Sequence, residues 1–330
     1  ACATLHKYGR RSAAGLQPGQ HTVVAAQQEL RPIRIIEDGP QRPGVAIKHR
    51  RRESAGLLHH DAKVRPVLLR QLQVRPVAYH AHSSGYGFPL PAGVPVLAVS
   101  RNTLGYWGDR APRNPLFLVP NALESQWLDR GNRSGTNGAS ANPQRRPIDV
   151  LVQQRKNSRY VLEKLVPELR ARGLRVEVQA GWVDDLVELF NSASVVLYDS
   201  ADYWRGRGVS EGFGLPPIEA LACGCVVFSS LNHALADSLD PGLVGHQLGA
   251  GTLGVDVERI MAAIANPQPW HPAPAALAAL LDGCSEPVLL ARWQRALLAI
   301  NGHWDRLLAG EPALRAPARW RIQAQQWAAR

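Results

Sequence analysis

The chain has 330 residues, of which 45% are hydrophobic and 20% are charged, and its formal net charge is +11. This length is sufficient for two domains with cores of their own. No apolar run reaches the roughly 18 residues of a membrane-spanning helix, and the start lacks the apolar segment of a secretory signal, so we expect neither. Four cysteines do not make a disulfide framework, which favours a reducing, cytoplasmic location. Because the chain begins with Ala1 rather than Met, we expect it to be processed or incomplete.

The positive charge is concentrated near the start of the chain. Residues 1–75 carry 14 Lys and Arg against 5 Asp and Glu, a net charge of +9, whereas all later residues together carry +2. Such a patch favours an anionic membrane surface, nucleic acid or an anionic acceptor as partner, or else is a basic segment without a specific partner. A nucleic-acid binder interleaves aromatic residues with its basic ones. Since Tyr8 is the one aromatic residue in this segment, no specific nucleic acid is expected.

Short apolar runs bounded by turn residues predict the strands of the first half. A strand that begins at Val77 runs into a glycine turn and carries His80 and His82, which alternation places on one face. A metal site built from these histidines with His59 and His60 is disfavoured, because no Asp or Cys stands beside His80 and His82 at ligand spacing. The other predicted strands are 23–26, 33–36, 94–100 and 116–121.

From Ile148 onward, strands alternate with helices. Strands are predicted over 148–152, 174–179 and 194–198; a helix begins at Asn157 or Ser158, contains a kinking Pro167 and ends at Gly173, and a short helix begins at Asp184 or Asp185. This alternation predicts a doubly wound parallel sheet, whose ligands bind beyond the carboxyl ends of its strands. The loops after Val152, Gln179 and Tyr198 should therefore converge with Glu211 on one edge.

The segment 210–224, Ser-Glu-Gly-Phe-Gly-Leu-Pro-Pro-Ile-Glu-Ala-Leu-Ala-Cys-Gly, is the most informative of the chain. Pro216 and Pro217 suit the start of a helix, Gly224 suits its end, and an apolar strand follows. A helix N-terminus behind a glycine-rich loop offers free backbone N–H groups to a phosphate. Glu211 and Glu219 flank it, and carboxylates are suited to accept hydrogen bonds from sugar and ribose hydroxyls.

These residues, with two glutamates spaced E-x7-E, resemble the donor-site motif of retaining glycosyltransferases of the GT-B fold, most closely family 4. The resemblance implies that Glu211 lies against the donor sugar, Glu219 holds the ribose, and the backbone at 212–215 (Gly212, Phe213, Gly214 and Leu215) faces the diphosphate. It also implies two Rossmann-like doubly wound α/β domains that face across a cleft. The expected boundaries are 1–128 for the acceptor-side domain, 129–147 for a linker, 148–285 for the donor-binding domain and 286–330 for a closing crossover helix, formed by 288–308, and a basic tail.

The resemblance assigns further site residues outside the motif. Arg155 and Lys156 correspond to a basic pair that clamps the donor diphosphate, with Arg159 as a substitute for Arg155. Basic residues oppose the dipole at a helix start, which favours a bound anion there. Trp182 and Val183 form a turn that resembles the base-contacting turn. His82, or as second choice His80, corresponds to a histidine near the acceptor and the donor sugar.

Several features depart from these patterns or mislead. The first 75 residues lack the Gly-Gly loop that usually opens the acceptor-side domain, so this part is divergent or incomplete. The run Gly249-Ala-Gly-Thr-Leu-Gly matches G-x-G-x-x-G but lacks the acidic residue about 20 positions later, so we interpret it as a loop. Cys223 and Cys225 are expected to be small buried hydrophobes rather than metal ligands.

The resemblance implies transfer of a sugar, with retention, from a nucleotide-sugar donor to the hydroxyl of a carbohydrate or lipid-linked acceptor, in polysaccharide or glycolipid synthesis. It implies neither a metal nor a cofactor, because protein cations stabilise the leaving diphosphate. Two alternatives remain, a GT-B nucleotide-sugar epimerase or phosphorylase and a non-enzymatic nucleic-acid binder. The expected location is cytoplasmic, with peripheral contact to the membrane through residues 1–75.

Overall fold

The computed structural model describes residues 34–37, 77–133, 146–314 and 318–328, all within one compact unit that spans 32–330. The backbone of this unit contains two sheets whose strands are all parallel. Each sheet falls inside one of the two predicted domain ranges. The exact boundaries, and the linker at 129–147, stay predictions.

The first sheet has four strands in the order of the chain: β1 Arg34–Glu37, β2 Val77–Ala81, β3 Val96–Ala98 and β4 Leu116–Leu118. The predicted strands at 33–36, 77, 94–100 and 116–121 are confirmed, although two are shorter than expected. The third strand is cut short because Ser100 caps helix α1, Arg101–Arg110, by accepting a hydrogen bond from the Thr103 N–H. A further helix, α2, spans Ser125–Arg130. The predicted strand at 23–26 lies outside the described residues.

The second sheet comprises β5 Ile148–Gln153, β6 Val176–Gln179, β7 Ala193–Tyr198, β8 Val226–Ser229 and β9 His246–Gln247. Their spatial order is β6-β5-β7-β8-β9. The chain therefore leaves β5 in one direction to reach β6 and returns across β5 to reach β7. In open parallel sheets this reversal creates a crevice at the carboxyl ends of the two strands, where ligands bind.

Helices connect the strands of the second sheet, and their starts largely confirm the expected caps. Ser158 accepts a hydrogen bond from the Val161 N–H at the first helix, which has π-helical hydrogen bonding over Val161–Leu165 before Pro167 interrupts the regular pattern. Asp185 caps its helix through the Glu188 N–H. The helices are α3 Val166–Ala171, α4 Leu186–Asn191, α5 Ala201–Arg205, α6 Leu215–Ala222, α7 Leu253–Ala265, α8 Pro274–Gly283, α9 Glu286–Leu308 and α10 Arg319–Ala328, with 3₁₀ turns at His233–Asp237 and Gln268–Trp270.

The glycine-rich run that begins at Gly249 is a loop, as predicted. Thr252 caps α7, and the Gly249 N–H donates to the buried carboxylate of Asp256 at 2.9 Å. The same carboxylate accepts from the Tyr160 hydroxyl at 2.7 Å. The loop is thereby tied to its own helix.

Apolar residues cover both faces of the second sheet, and α9 covers a face of the first. Ala296 and Ile300 of α9 pack with Ala78, Leu97 and Val119 in one buried cluster. His303 of α9 also donates a hydrogen bond from its ring Nε2 to the Gly93 carbonyl at 2.6 Å. The predicted helix at 288–308 thus crosses back from the second sheet to the first.

No single described helix is long and apolar enough to cross a membrane. The pair α8 and α9, which meet at a bend of 47°, reaches that length and composition only when both are counted together. Leu277 and Leu281 of α8 pack in the core of the second sheet.

Candidate functional site

The start of the segment 210–224 forms a tight loop that leads directly into α6. Gly214 precedes the helix with φ of +86°, a left-handed conformation that glycine adopts without strain. Gly212 lies so close to the first half that a Cβ there would overlap the carbonyl oxygen of His82. The first turn, from Leu215, contains the predicted prolines, and its remaining backbone N–H groups have no acceptor within the helix. The sequence thus places backbone N–H groups without helical acceptors at the crevice edge.

Glu211 is buried, and one of its two carboxylate oxygens accepts both of its hydrogen bonds from the protein. Its side chain accepts from the Tyr198 hydroxyl at 2.6 Å and from Trp204 Nε1 at 2.7 Å, both through Oε2. Its other oxygen, Oε1, lies 3.7 Å from Lys156 Nζ. Tyr198 is the last residue of β7, and its burial together with the charge of Glu211 raises its pKa. The phenol therefore keeps its proton and remains a hydrogen-bond donor.

Lys156 lies in the loop after β5 and has its backbone in the left-handed region, with φ of +67°. A residue other than glycine pays about 1 kcal/mol or more for this conformation, and such strain is concentrated at functional sites. The side chain is 27% exposed and lies between two partners, with Nζ 4.8 Å from the centre of the Trp204 ring. The ammonium group therefore lies between a carboxylate and an aromatic face at the carboxyl edge of the sheet.

Glu219 lies on α6, partly buried, where removal from water raises its pKa to about 7. Desolvation is the main cause, repulsion from the carboxylate of Glu124 adds to it, and the charge of Lys156 opposes it. Near neutral pH this carboxyl group is therefore divided between its two protonation states. Such a group is suited to bind hydroxyls, since each hydrogen bond they donate favours the charged form.

The loop after β2 and the loop before Glu211 make direct hydrogen bonds to each other. Ser83 Oγ donates to the Ser210 carbonyl at 2.6 Å, and the Ser210 hydroxyl bonds Ser84 Oγ at 2.6 Å and Asn102 Nδ2 at 3.1 Å. A Cβ on Gly85 would overlap the carbonyl oxygen of Gly208. We call this contact of 82–85 with 208–212 the serine seam. It brings the end of the first sheet against the motif of the second.

His82 borders this seam through its backbone, whereas the neighbouring His80 ring packs toward α9. His82 is partly buried and its carbonyl abuts Gly212. His80 is buried, and its ring packs edge-on against Trp293 of α9 at 5.1 Å. The two imidazole rings lie 4.2 Å apart. His80 thus contributes to the contact of β2 with α9, and the choice of His82 as the site histidine stays a prediction.

The remaining predicted residues lie farther out on the same edge. Arg155 is exposed and has no polar partner within the described ranges. Its proposed substitute Arg159 is engaged with Glu163 at 2.9 Å, one helical turn away, in a surface ion pair. Trp182 is 90% exposed and donates from Nε1 to Asp184, while Val183 is partly buried. The Trp182–Val183 turn follows β6, next to β5 in the sheet.

The predicted convergence of loops on one edge is confirmed. The Gln154 N–H, after β5, donates to the Gln179 carbonyl at the end of β6 at 2.9 Å. The Asp199 N–H, after β7, donates to the Asn157 side chain at 2.8 Å. Lys156 and Glu211 meet above these strand ends.

Sequence reasoning missed several contributors. Trp204 lies on α5 and Glu124 immediately before α2, and neither stands in a recognisable pattern. Tyr198 stands at a predicted strand end, which is a usable signal, but the sequence does not indicate its bond to Glu211. Over the part of the chain that the structure describes, no three His, Cys, Asp or Glu side chains form a cluster that could hold a metal.

A known sequence family matches part of the second half of the chain. Residues 157–248 match a sequence family described as glycosyl transferases group 1. No curated protein sequence matches the chain. Among solved structures, the chain is similar to a glycosyltransferase from Rickettsia africae ESF-5, with 9% identity and a TM-score of 0.51 over 77% of this chain and 84% of that one.

Two other solved structures are more distant in shape. TarM of S. aureus has 10% identity and a TM-score of 0.48 over 68% of this chain, which spans about half of TarM, 51%. HepE of Anabaena, determined with UDP and glucose, has 15% identity and a TM-score of 0.46 over 76% of each chain. The parallel sheets and the likeness to the Rickettsia enzyme identify an α/β fold of the GT-B type, and the match over 157–248 supports a glycosyltransferase domain there.

Proposed function

We propose that the chain transfers a sugar, with retention of anomeric configuration, from a nucleotide-sugar donor to an acceptor hydroxyl, as in glycosyltransferase family 4. The observation that carries the proposal is the meeting of Lys156 and Glu211 beside the N-terminus of α6, at the crevice where the strand order reverses. A cation, free N–H groups and two carboxylates suit a diphosphate flanked by a sugar and a ribose.

In this proposal, Lys156 and the first turn of α6 stabilise charge on the departing diphosphate. Such groups accelerate the reaction because they act where charge develops in the transition state. Arg155, which is exposed after β5, is free to swing toward a bound donor. The protein's own cations supply this stabilisation, and we therefore propose a reaction that needs neither a metal nor a cofactor.

The carboxylates hold the two sugars of the donor. Glu219 accepts hydrogen bonds from the ribose hydroxyls, and Glu211 offers Oε1 to the transferred sugar because Oε2 is already occupied by Tyr198 and Trp204. Trp182 and Val183, at the end of β6, contact the base. His82 approaches from the other side of the serine seam, next to the acceptor. The acceptor attacks from the face that the diphosphate leaves, which retains the configuration.

A thermal-shift screen against UDP-, GDP-, ADP- and dTDP-glucose tests this proposal. A bound donor stabilises the folded state by RT ln(1 + [L]/Kd), so a concentration of about 100 Kd adds about 2.7 kcal/mol. We expect one nucleotide family to raise Tm in the presence of EDTA. If none of the four nucleotide sugars raises Tm, the result contradicts the proposal. Incubation with donor alone then distinguishes an epimerase, which changes the sugar without acceptor, from a transferase.

We also propose a carbohydrate or lipid-linked acceptor used in polysaccharide or glycolipid synthesis, at the cytoplasmic face of a membrane. The motive is the net charge of +9 on residues 1–75. Basic residues near an anionic leaflet contribute about 1 kcal/mol each, and salt screens that attraction. Flotation should show binding to vesicles that contain phosphatidylserine, reduced by salt, and little binding to neutral vesicles. Equal binding to both vesicle types excludes this docking.

A further inference from the structure

Among the described residues, Trp204 is the one whose side chain contacts both Glu211 and Lys156, the first through its N–H group and the second through its ring face. Its indole N–H donates to Glu211 Oε2 at 2.7 Å, and its ring face lies 4.8 Å from Lys156 Nζ. The residue belongs to α5, a five-residue helix between β7 and the glutamate loop. A change at Trp204 therefore acts on the carboxylate and the ammonium group together.

The hydrogen bonds of Glu211 are divided unequally between its two oxygens. Oε2 accepts from two donors, the Tyr198 hydroxyl and the Trp204 N–H. Oε1 has only Lys156 Nζ nearby, at 3.7 Å, which is longer than a hydrogen bond. Because the two donors fix the rotation of the carboxylate, Oε1 is the oxygen turned toward Lys156, and it accepts no hydrogen bond from the described residues.

The Trp204 ring holds Lys156 through a cation–π contact rather than through a hydrogen bond. An ammonium group over an indole ring gains about 0.5–1 kcal/mol at an exposed site and more when desolvated, without the fixed direction of a hydrogen bond. The ring therefore retains Nζ near Glu211 but leaves its N–H donors available to an arriving anion. Removing the ring would allow this long side chain to sample other rotamers.

We propose that Trp204 is a positioning residue of the transferase, which orients Glu211 toward the donor sugar and keeps Lys156 beside the diphosphate. This inference rests on the proposed function, because it assigns those two partners to the donor. Groups that act on a reacting centre must be held within about 0.5 Å of the productive geometry, and packing and hydrogen bonds from neighbouring residues hold them there.

A purely structural role for Trp204 is the alternative. Trp204 is partly exposed and belongs to none of the buried apolar clusters of the described residues, and its other aromatic contact is the neighbouring Tyr203 at 5.0 Å. Tyr203 carries a cation contact of its own, with the Arg207 guanidinium 3.6 Å from its ring. It touches neither candidate catalytic group, so Tyr203 provides a matched control within the same helix.

The test compares Trp204→Phe, which keeps an aromatic ring in place of the indole but removes the N–H, with Trp204→Leu, which removes both, and with Tyr203→Leu. Donor hydrolysis is measured with the nucleotide-glucose that stabilises the wild type, together with Tm. We expect Trp204→Phe to lower kcat about tenfold or more, the loss of one hydrogen bond to a charged group, with donor KM within about threefold. Trp204→Leu should be slower still, while Tyr203→Leu keeps kcat within about twofold.

The outcomes separate this inference from the function on which it rests. An active wild type with Trp204→Phe unchanged in kcat overturns the positioning role alone. The same holds if Tyr203→Leu lowers kcat as much as Trp204→Phe, because the effect then belongs to the helix. A wild type that binds no nucleotide sugar overturns both proposals.

Discussion

Replacing Glu219 with Gln should stabilise the ligand-free protein at alkaline pH while weakening nucleotide binding. The pKa of Glu219 is raised from 4.5 to about 7 in the folded state, chiefly by desolvation. Between these two values the folded protein retains a proton that the unfolded chain releases. The free energy of unfolding therefore falls as pH rises through this window, and the loss is complete above about pH 7.

The size of the effect follows from the shift. Each unit of pKa corresponds to about 1.4 kcal/mol, so a displacement of about 2.5 units gives about 3 kcal/mol at most. The Gln side chain is neutral throughout and lacks this dependence. It still requires partners for its amide, so we expect a net gain of about 1–3 kcal/mol at pH 8 and almost none near pH 5.

Urea unfolding of wild type and Glu219→Gln at about pH 5 and about pH 8 measures the difference directly. Glu124→Gln is the control, because removing this neighbouring charge should lower the pKa of Glu219 and move the window to lower pH. Calorimetry with the matching nucleoside diphosphate should show wild-type binding that strengthens from pH 5 to pH 7, and weaker, flatter binding by Glu219→Gln. A stability difference between the two proteins that is the same at both pH values refutes the reasoning.

Three further substitutions test other parts of the site and fold. Lys156→Ala should lower kcat about 100-fold on saturating donor, because the cation acts on charge that appears at departure of the leaving group; steady-state kinetics measures this. Gly212→Ala should lower kcat and weaken donor binding, since its Cβ would overlap the His82 carbonyl and displace the loop that the resemblance places against the diphosphate. Tyr160→Phe should cost about 1–3 kcal/mol in urea unfolding without changing donor binding, because it removes a donor from buried Asp256.

Matched controls make these results decisive. Lys164→Ala removes an exposed lysine from the helix that follows Lys156 and should leave kcat unchanged. Gly105→Ala adds a Cβ where no atom lies within 4 Å, so only the placement of Gly212 should matter. Full activity of Lys156→Ala or Gly212→Ala would remove that residue from the proposed machinery.

The second half of the fold was predictable because its signals are local. The strand at 194–198, the cap at Asp185 and the glycine that opens α6 each follow from a few neighbouring residues, and the edge on which Lys156 and Glu211 meet follows from parallel strand order. Trp204 and Glu124 were not predictable, since their effects on Glu211 and Glu219 act through space from short helices without periodic patterns. The short strands of the first sheet gave weaker signals, and their ends were placed less accurately.

The composition of the serine seam bears on how the two halves could work together. Gly85 and Gly212 allow backbone to approach backbone, and Ser83, Ser84 and Ser210 complete the contact with hydroxyl groups. Each such hydrogen bond adds only about 0.5–1.5 kcal/mol net, because water replaces it when the contact opens. An apolar seam of the same size would resist opening, and when open it would expose an apolar, aggregation-prone surface. The glycines let the two backbones come close, and the serine hydrogen bonds can break and re-form at little cost. A seam of this kind suits a site whose proposed donor must enter between the two halves.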